Sequence, residues 1–473
     1  MMMMMMMMVV VVVVEIVFMM MMRLIMIMVW VNQTVVVHVT NLMSSQAVTI
    51  HWHGLHQTGT PWMDGVAFVT QVSHANILSH GCFRVCDRSK SYCKFRMIGS
   101  GSLYPFRVSI DGHPLTLIAS DGYDIVPTVL DAIIINPGER YDFLVEANKL
   151  PGRYWVRAQT LEINVLYHRA EAILEYAGIP GPGGQASSFP KNCTSGNRCK
   201  VLNCPFHHYP TTYFSDCIKI TDLKSKIQYE VPGAHPGDQV QDIFLNFAFP
   251  GDTWTPGSVN GRAYKHNKVY QMILMNMGMG RGWAHPIHMH GHSYTVVKIG
   301  YPYYDPITGQ VGDDSTDINC GGKTTNYCNE PSWSNSSWGG NSVPGLTLGA
   351  PPRKDTIMVP SGGYVIIRIK ADNPGTWFMH CHIELHSGDG MALVLNESFS
   401  RQAAPPAEFP TCNNFRYAKQ EYHWPDEVTM AAVKEKGSVG FTADDWLTSP
   451  VSPSAILDLL RYGLRPPERA HSA

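Results

Sequence analysis

Trp377-Phe-Met-His-Cys-His-Ile-Glu-Leu-His-Ser-Gly-Asp-Gly-Met391 is the stretch on which fold and chemistry turn. Read as a strand, its period of two sends Cys381 to one face and both His380 and His382 to the other. Cys381, His386 and Met391 are then parts of a trigonal Cys/His/His copper site with a weak axial thioether, whose second imidazole must come from elsewhere in the chain. His380 and His382 can ligate a different metal while staying one residue from the thiolate, so an electron taken at Cys381 can leave through the backbone. A lone His-Cys-His reads better as a buried thiol between solvent-facing histidines. His386 and Met391 reverse that balance.

The 473 residues carry a net charge of −2, with 16% charged side chains and no basic block, which argues against a nucleic-acid partner. Apolar runs are short and β-branched, such as Tyr141-Asp-Phe-Leu-Val-Glu146 and Tyr364-Val-Ile-Ile-Arg-Ile-Lys370, and turn residues separate them. This pattern predicts an all-β chain of sandwich or barrel domains, about three by length. Of eleven cysteines, Cys381 goes to metal and ten remain in loop-like surroundings, which implies disulfides and an oxidising compartment. Cys193 with Cys199, and Cys320 with Cys328, are alternatively zinc pairs, but lack the tight spacing zinc prefers. Sequons at Asn32, Asn192, Asn335 and Asn396 agree with secretion.

Residues 1–31 are a Met/Val run broken by Glu15 and Arg23, resembling a translated triplet repeat. The run has neither a signal-peptide pattern nor an uninterrupted apolar span of ~18 residues. It is expected to be artefactual or unstructured, with a membrane anchor as the less favoured reading. Residues 32–71 form a partial first domain containing Thr49-Ile-His51-Trp-His53-Gly54, where strand alternation puts two imidazoles side by side. Asp64 follows within reach of that pair, as a carboxylate that orients a histidine or as a plain turn residue. Residues 72–93 are aperiodic and read as an aberrant junction. Residues 94–178 resume strand patterning without a histidine pair, and 179–199 are a linker. Residues 200–400 form a third unit with Ala284-His285-Pro-Ile-His288-Met-His290-Gly-His292. His288 and His290 share a face there, and a Pro286 turn sets His285 apart as the missing partner of Cys381. Gly291 permits close backbone approach, and His292 is a structural hydrogen-bonding residue. The tail, 401–473, holds a possible helix at 455–462 and no chemistry.

Taken together, His-Trp-His-Gly, His-Pro-x-His-x-His-Gly-His and His-Cys-His-x3-His resemble the copper motifs of the multicopper oxidases. The linking sequence is similar to animal laccase-like members over about 32–71 and 95–415. The resemblance implies tandem cupredoxin-like Greek-key β-sandwiches, the first of them truncated. It also implies type 1 copper at His285, Cys381, His386 and axial Met391, type 2 at His51 and His288, and a type 3 pair at His53, His290, His380 and His382. Phenols, diphenols or aromatic amines would give single electrons near His386, and O2 would be reduced to water at the cluster, with Asp64 relaying protons. The family has a further His-x-His pair late in its first domain, and none occurs between Gln71 and Phe95. Two of six type 3 ligands are thus missing, as expected of a faulty gene model or splice form, or of a variant with a crippled oxygen site. Alternatives are a ferroxidase acting on Fe2+, for which Glu384 lies on an unsuitable strand phase, and a non-catalytic copper-binding protein. The expected location is extracellular, or alternatively anchored at the plasma membrane.

Overall fold

The computed structural model describes residues 7–12, 25–30, 50–66, 92–161, 169–176, 179, 185–235, 237–249, 262–321 and 327–407. Outside them lie the Asn32 sequon, Cys82, Cys86, Cys412, most of the 72–93 junction and the 455–462 helix expected in the tail. Strands dominate, as the short β-branched runs require. Tyr364–Lys370 is buried along all but its last residue and pairs on both sides, with Val269–Met275 and with Tyr294–Gly300. That is the position a continuous apolar run favours.

Two sandwiches are built from these strands. The first has one sheet of Tyr92–Ile98, Arg140–Glu146, Leu115–Ser120 and Tyr123–Leu130. Facing strands Arg169–Glu175, Arg153–Thr160, Phe106–Ile110 and Ala132–Ile135 continue into Cys199–Leu202 and Ser215–Ile218. The last two strands correct the boundary expected at residue 200. They add in parallel to the earlier sheet, so residues 199–218 pack with the sandwich that precedes them.

The second sandwich sets Val240–Asn246, Val269–Met275, Tyr364–Lys370, Tyr294–Gly300 and Arg353–Lys354 against a sheet that carries the motifs. That sheet runs Arg262–Tyr264, Ala392–Glu397, Gly375–Cys381, His285–Met289, Thr356–Val359. Trp377 and Cys381, both fully buried, belong to the apolar core shared across these layers. Among the described residues of the first segment, 50–66 pack against this sheet, and Met7–Val12 pairs antiparallel with Ile25–Trp30. This pairing corrects the expectation of an unstructured Met/Val run.

Cysteine pairing decides between disulfide and zinc. Cys193–Cys199, Cys204–Cys217 and Cys320–Cys328 are disulfides, Cys93 is also disulfide-bonded, and Cys381 is the free thiol among the described residues. No described helix is long and apolar enough to cross a membrane.

Candidate metal centres

Register places the motifs. His285–Met289 runs antiparallel to Gly375–Cys381, with Ile287 opposite Cys381, His288 opposite His380 and Met289 opposite Met379. Cross-strand partners share a face. His285 and Ile287 therefore lie on the Cys381 side, while His288 and His290 lie on the side of His380. Here the expected Pro286 turn is corrected. Pro286 sits inside the strand, paired with Met358, and simple alternation is what separates His285 from His288. Pro286 costs little there because the neighbouring strand pairs only from Ile287 onward, and the Pro286 carbonyl still accepts the His382 N–H at 2.7 Å.

On the Cys381 side, Sγ lies 3.8 Å from His285 Nδ1 and 3.6 Å from His386 Nδ1, and the two nitrogens are 3.2 Å apart. A point about 2 Å from all three donor atoms exists in this triangle, which is the length of a metal–imidazole bond. His386 comes from the helical turn Glu384–Gly388, so Glu384 has no strand phase, contrary to the sequence expectation. Met391 is buried, its N–H bonds the His386 carbonyl at 2.9 Å, and its own carbonyl accepts the Cys381 N–H at 3.0 Å. Burial lowers His285 to about 3 and also lowers His386, so both imidazoles are neutral. Burial likewise pushes the Cys381 thiol up to about 12, a penalty on the thiolate that a bound cation removes.

Six histidines converge on the opposite side. Four have Nδ1 aimed at an oxygen that can only accept. His51 donates to the Asp64 carbonyl (2.8 Å), His288 to the Asp355 carbonyl (2.9 Å), His290 to Asp64 Oδ2 (2.8 Å) and His380 to the Cys381 carbonyl (2.9 Å). The proton is thereby held on Nδ1, and each Nε2 keeps an open lone pair. These lone pairs face each other, His51 to His288 at 3.4 Å and His290 to His380 at 3.3 Å. Lone pairs so arranged repel unless a cation lies between them. His53 stacks on His288 with ring centroids 3.9 Å apart, its two ring nitrogens are buried without a hydrogen-bond partner, and His382 lies 5.2 Å away centroid to centroid. Burial holds His53 and His380 well below the ordinary histidine range and His290 at about 3. Three groups therefore have ligand atoms close enough to share an ion: His285 with Cys381 and His386, His51 with His288 and His290, and His53 with His288 and Asp355. The first two sets offer only nitrogen and sulfur and fit a copper-type metal, whereas the third includes a carboxylate oxygen.

The carboxylate nearest His53 is Asp355, whereas Asp64, fully buried, serves His51 and His290, which corrects its expected pairing. Burial alone would raise its carboxyl, but the charges and hydrogen bonds of His290 and His51 bring it well below the usual range. Its Oδ1 lies 3.3 Å from His51 Nδ1, which is closer still to the Asp64 carbonyl. His292 donates from Nε2 to Glu397 at 2.6 Å and takes no part in either cluster. Gly291 has φ +72°, and a Cβ there would lie 2.2 Å from the Trp377 ring. Sequence reasoning missed Asp355, Thr356 and Arg140. The available signal was Arg-Lys-Asp at 353–355 inside an otherwise apolar strand region, since buried charges must be paired.

The multicopper oxidase family pattern matches in three parts, over residues 19–76, 81–178 and 238–400. The first match begins at residue 19, inside the Met/Val run and ahead of the start expected at 32, and the second begins within the stretch read as a junction. Laccase-1 of Botryotinia fuckeliana is 24% identical over 77% of this chain and 75% of its own length. Laccase-2 of Fomitopsis schrenkii is 29% identical over 69% of this chain but only 57% of its own length. The laccase of Botrytis aclada superposes with a TM-score of 0.52 at 20% identity, covering 86% of each chain. Fet3p, a multicopper oxidase that functions in iron import, gives 0.53 at 16% identity, covering 89% of this chain and 92% of its own. These likenesses give the cupredoxin fold for the sandwiches. With the three pattern matches spanning most of its length, the chain belongs to the multicopper oxidase family.

Proposed function

We propose that the chain is a laccase-type oxidase that takes single electrons from phenols, diphenols or aromatic amines and delivers four of them to O2, giving water. In this reading His285, Cys381 and His386, with Met391 as a further ligand, would hold type 1 copper. His51 and His288 hold type 2, and His53, His290, His380 and His382 hold the type 3 pair. When bound, copper supplies the one-electron couple at Cys381 and the oxygen-reducing centre among the six histidines.

The observation that carries the reductant class is the apolar rim of the Cys381 site. His386 is half-buried on its helical turn beside the exposed Leu385, and exposed Met279 and Trp283 lie on the loop leading into His285. Phe249 sits edge-on to both imidazoles, at 4.8 Å from His386 and 5.8 Å from His285. Such a rim suits an aromatic ring that touches His386 edge-on. Behind it, Cys381 is bonded to residues whose imidazoles face the other cluster, which gives electrons a covalent route. Asp64, its carboxyl kept ionised by His290 and His51, would orient both imidazoles and take up a proton only in passing.

His290 with His380, and His53 with His382, each offer two imidazoles where the family places three. Loss of one ligand per type 3 copper supports impaired oxygen reduction. Asp389, close enough for its charge to act on His386, favours a second reading in which Fe2+ is the reductant, because Fe2+ needs hard oxygen ligands. A third is a copper-binding protein without turnover. Three disulfides and exposed sequon residues Asn192 and Asn335 support an extracellular location. Membrane anchoring is the alternative.

Oxygen uptake by the copper-loaded protein, with a diphenol and separately with Fe2+, tests these readings. Oxygen uptake that draws four electrons per O2 from the diphenol, slowed by the missing ligands, is the expected result. Uptake with Fe2+ alone selects the ferroxidase, and blue absorbance without uptake selects the binding protein. Copper-loaded protein with no blue absorbance would overturn the Cys381 assignment.

A further inference from the structure

The sandwich of residues 92–218 contributes none of the eight clustered histidines, yet it reaches the six-histidine cluster at two points. Gly138, in the turn before Arg140–Glu146, has φ +80°, and a Cβ on it would stand 2.5 Å from Cδ2 of His382. Two residues later the Arg140 guanidinium pairs through both terminal nitrogens with both carboxylate oxygens of Asp355. Asp355 belongs to the other sandwich and lies behind the cluster. Its carbonyl accepts the His288 Nδ1 proton, and its Oδ1 lies 3.6 Å from His288 Nδ1 and 3.9 Å from His53 Nδ1. Thr356 Oγ1 completes the contact at 3.1 Å from His288 Nδ1.

A buried lattice holds this arrangement. The Arg140 N–H donates to Asp121 Oδ1 at 2.9 Å, while Asp121 Oδ2 accepts the N–H groups of Asp355 and Thr356, each at 3.2 Å. Lys354, fully buried, places Nζ 3.1 Å from Asp121 Oδ2 and 3.0 Å from Ser120 Oγ. Two sandwiches are thus joined by fixed charges directly behind His288.

Asp355 invites a different role, because its oxygens lie close enough to His53 and His288 to share an ion. Its hydrogen bonding argues against ligation. Both oxygens accept from the planar fork of Arg140, and Oδ1 also accepts the Thr356 hydroxyl at 2.9 Å. His288 also spends Nδ1 on the Asp355 carbonyl, which turns Nε2 towards His51.

We propose that Arg140 and Gly138 are positioning residues for the oxygen-reducing cluster, Arg140 by fixing Asp355 behind His288 and His53, and Gly138 by leaving the space that the His382 ring fills. The proposal rests on the reading of these histidines as copper ligands. The middle sandwich then acts as a template on which ligands from the other two segments are set.

The test uses the full chain loaded with copper, counting copper per chain and recording the paramagnetic resonance signal of non-blue copper beside the blue thiolate absorbance. Arg140→Lys keeps the charge and loses the fork, and Arg140→Gln loses both. Gly138→Ala intrudes on His382, with Gly122→Ala as its control, since Gly122 has φ +86° and open space around its Cβ. The expected result is ten- to hundred-fold weaker copper retention in the non-blue sites for Arg140→Lys and Gly138→Ala, with an altered signal and unchanged blue absorbance. Gly122→Ala should leave both as in the parent. Should Arg140→Gln fail to fold, Arg140→Lys and Gly138→Ala decide the matter. Unchanged non-blue copper in both, or parallel loss of blue and non-blue copper in both, overturns the proposal. A parent protein that binds blue copper alone would instead bring down the cluster assignment itself.

Discussion

Replacing Asp64 with Asn is the sharpest probe of how the histidine cluster is held. The exchange keeps the volume of a fully buried side chain and strips its charge. In the parent, Asp64 Oδ2 accepts the His290 Nδ1 proton at 2.8 Å, and Oδ1 lies 3.3 Å from His51 Nδ1. An amide can offer its oxygen to His290, but it then points an N–H group at the N–H of His51. His51 keeps its bond to the Asp64 carbonyl, so the loss is the charge assistance of one hydrogen bond plus a repulsion between two N–H groups. A hydrogen bond to a charged group contributes roughly 1.5–3 kcal/mol, and about 1.4 kcal/mol is a factor of ten. Copper should therefore leave the six-histidine cluster at about ten- to hundred-fold lower chelator concentration, as expected when such a supporting partner is lost. The assay is stepwise chelation, with copper counted at each step and the blue absorbance as an internal reference, because Asp64 touches none of His285, Cys381 and His386. A release profile identical to that of the parent would refute the role given to Asp64. So would loss of the blue band in step with the other copper.

Cys381→Ser exchanges a soft sulfur for a hard oxygen. It should abolish the blue absorbance and reductant-driven oxygen uptake and lower bound copper by one per chain; retained blue colour would show another thiolate at work. Gly291→Ala should destabilise the fold by about 2–5 kcal/mol in denaturant unfolding, combining roughly 1–2 for the left-handed backbone and roughly 1–3 for the clash with Trp377. Gly122→Ala, with open space at its Cβ, should lose only about 1–2 kcal/mol, and equal losses at both sites would remove the case for the Trp377 contact. The Cys204–Cys217 disulfide spans 13 residues and ties the final two strands of the middle sandwich together. Replacing both cysteines with Ser should cost about 3 kcal/mol in the same measurement, and an unchanged midpoint would contradict a stabilising role.

Part of the site was legible because strand geometry has a period of two and several of the ligands obey it. Cys381 against His380 follows from alternation within Gly375–Cys381, whereas His51, His53 and His382 lie outside the described strands, and the local course of the chain, not a strand period, brings them to the cluster. Pro286 misled for a local reason. Proline usually marks a turn, but this one stands where the strand has a neighbour on one side only, so its missing N–H goes unneeded. Glu384 was assigned a strand phase because nothing in a five-residue stretch separates the end of a strand from the single helical turn that carries His386.

The residue order by itself determined which atoms could bind a metal: one thiol, its flanking imidazoles and two further histidine motifs, each with its ligand spacing set by covalent geometry. It also determined the all-β character, through short β-branched runs between turn residues. Only the tertiary structure decided which distant imidazoles meet. His285 reaches Cys381 across 96 residues by the register of two paired strands, a property of two segments together and of neither alone, and His288 reaches His51 across 237 because residues 50–66 pack against that sheet. The role of the ligand-free sandwich was decided there too, since Arg140 and Asp355 are ordinary charges in the chain and become a clamp only when folding buries both and leaves each no other partner of equal strength.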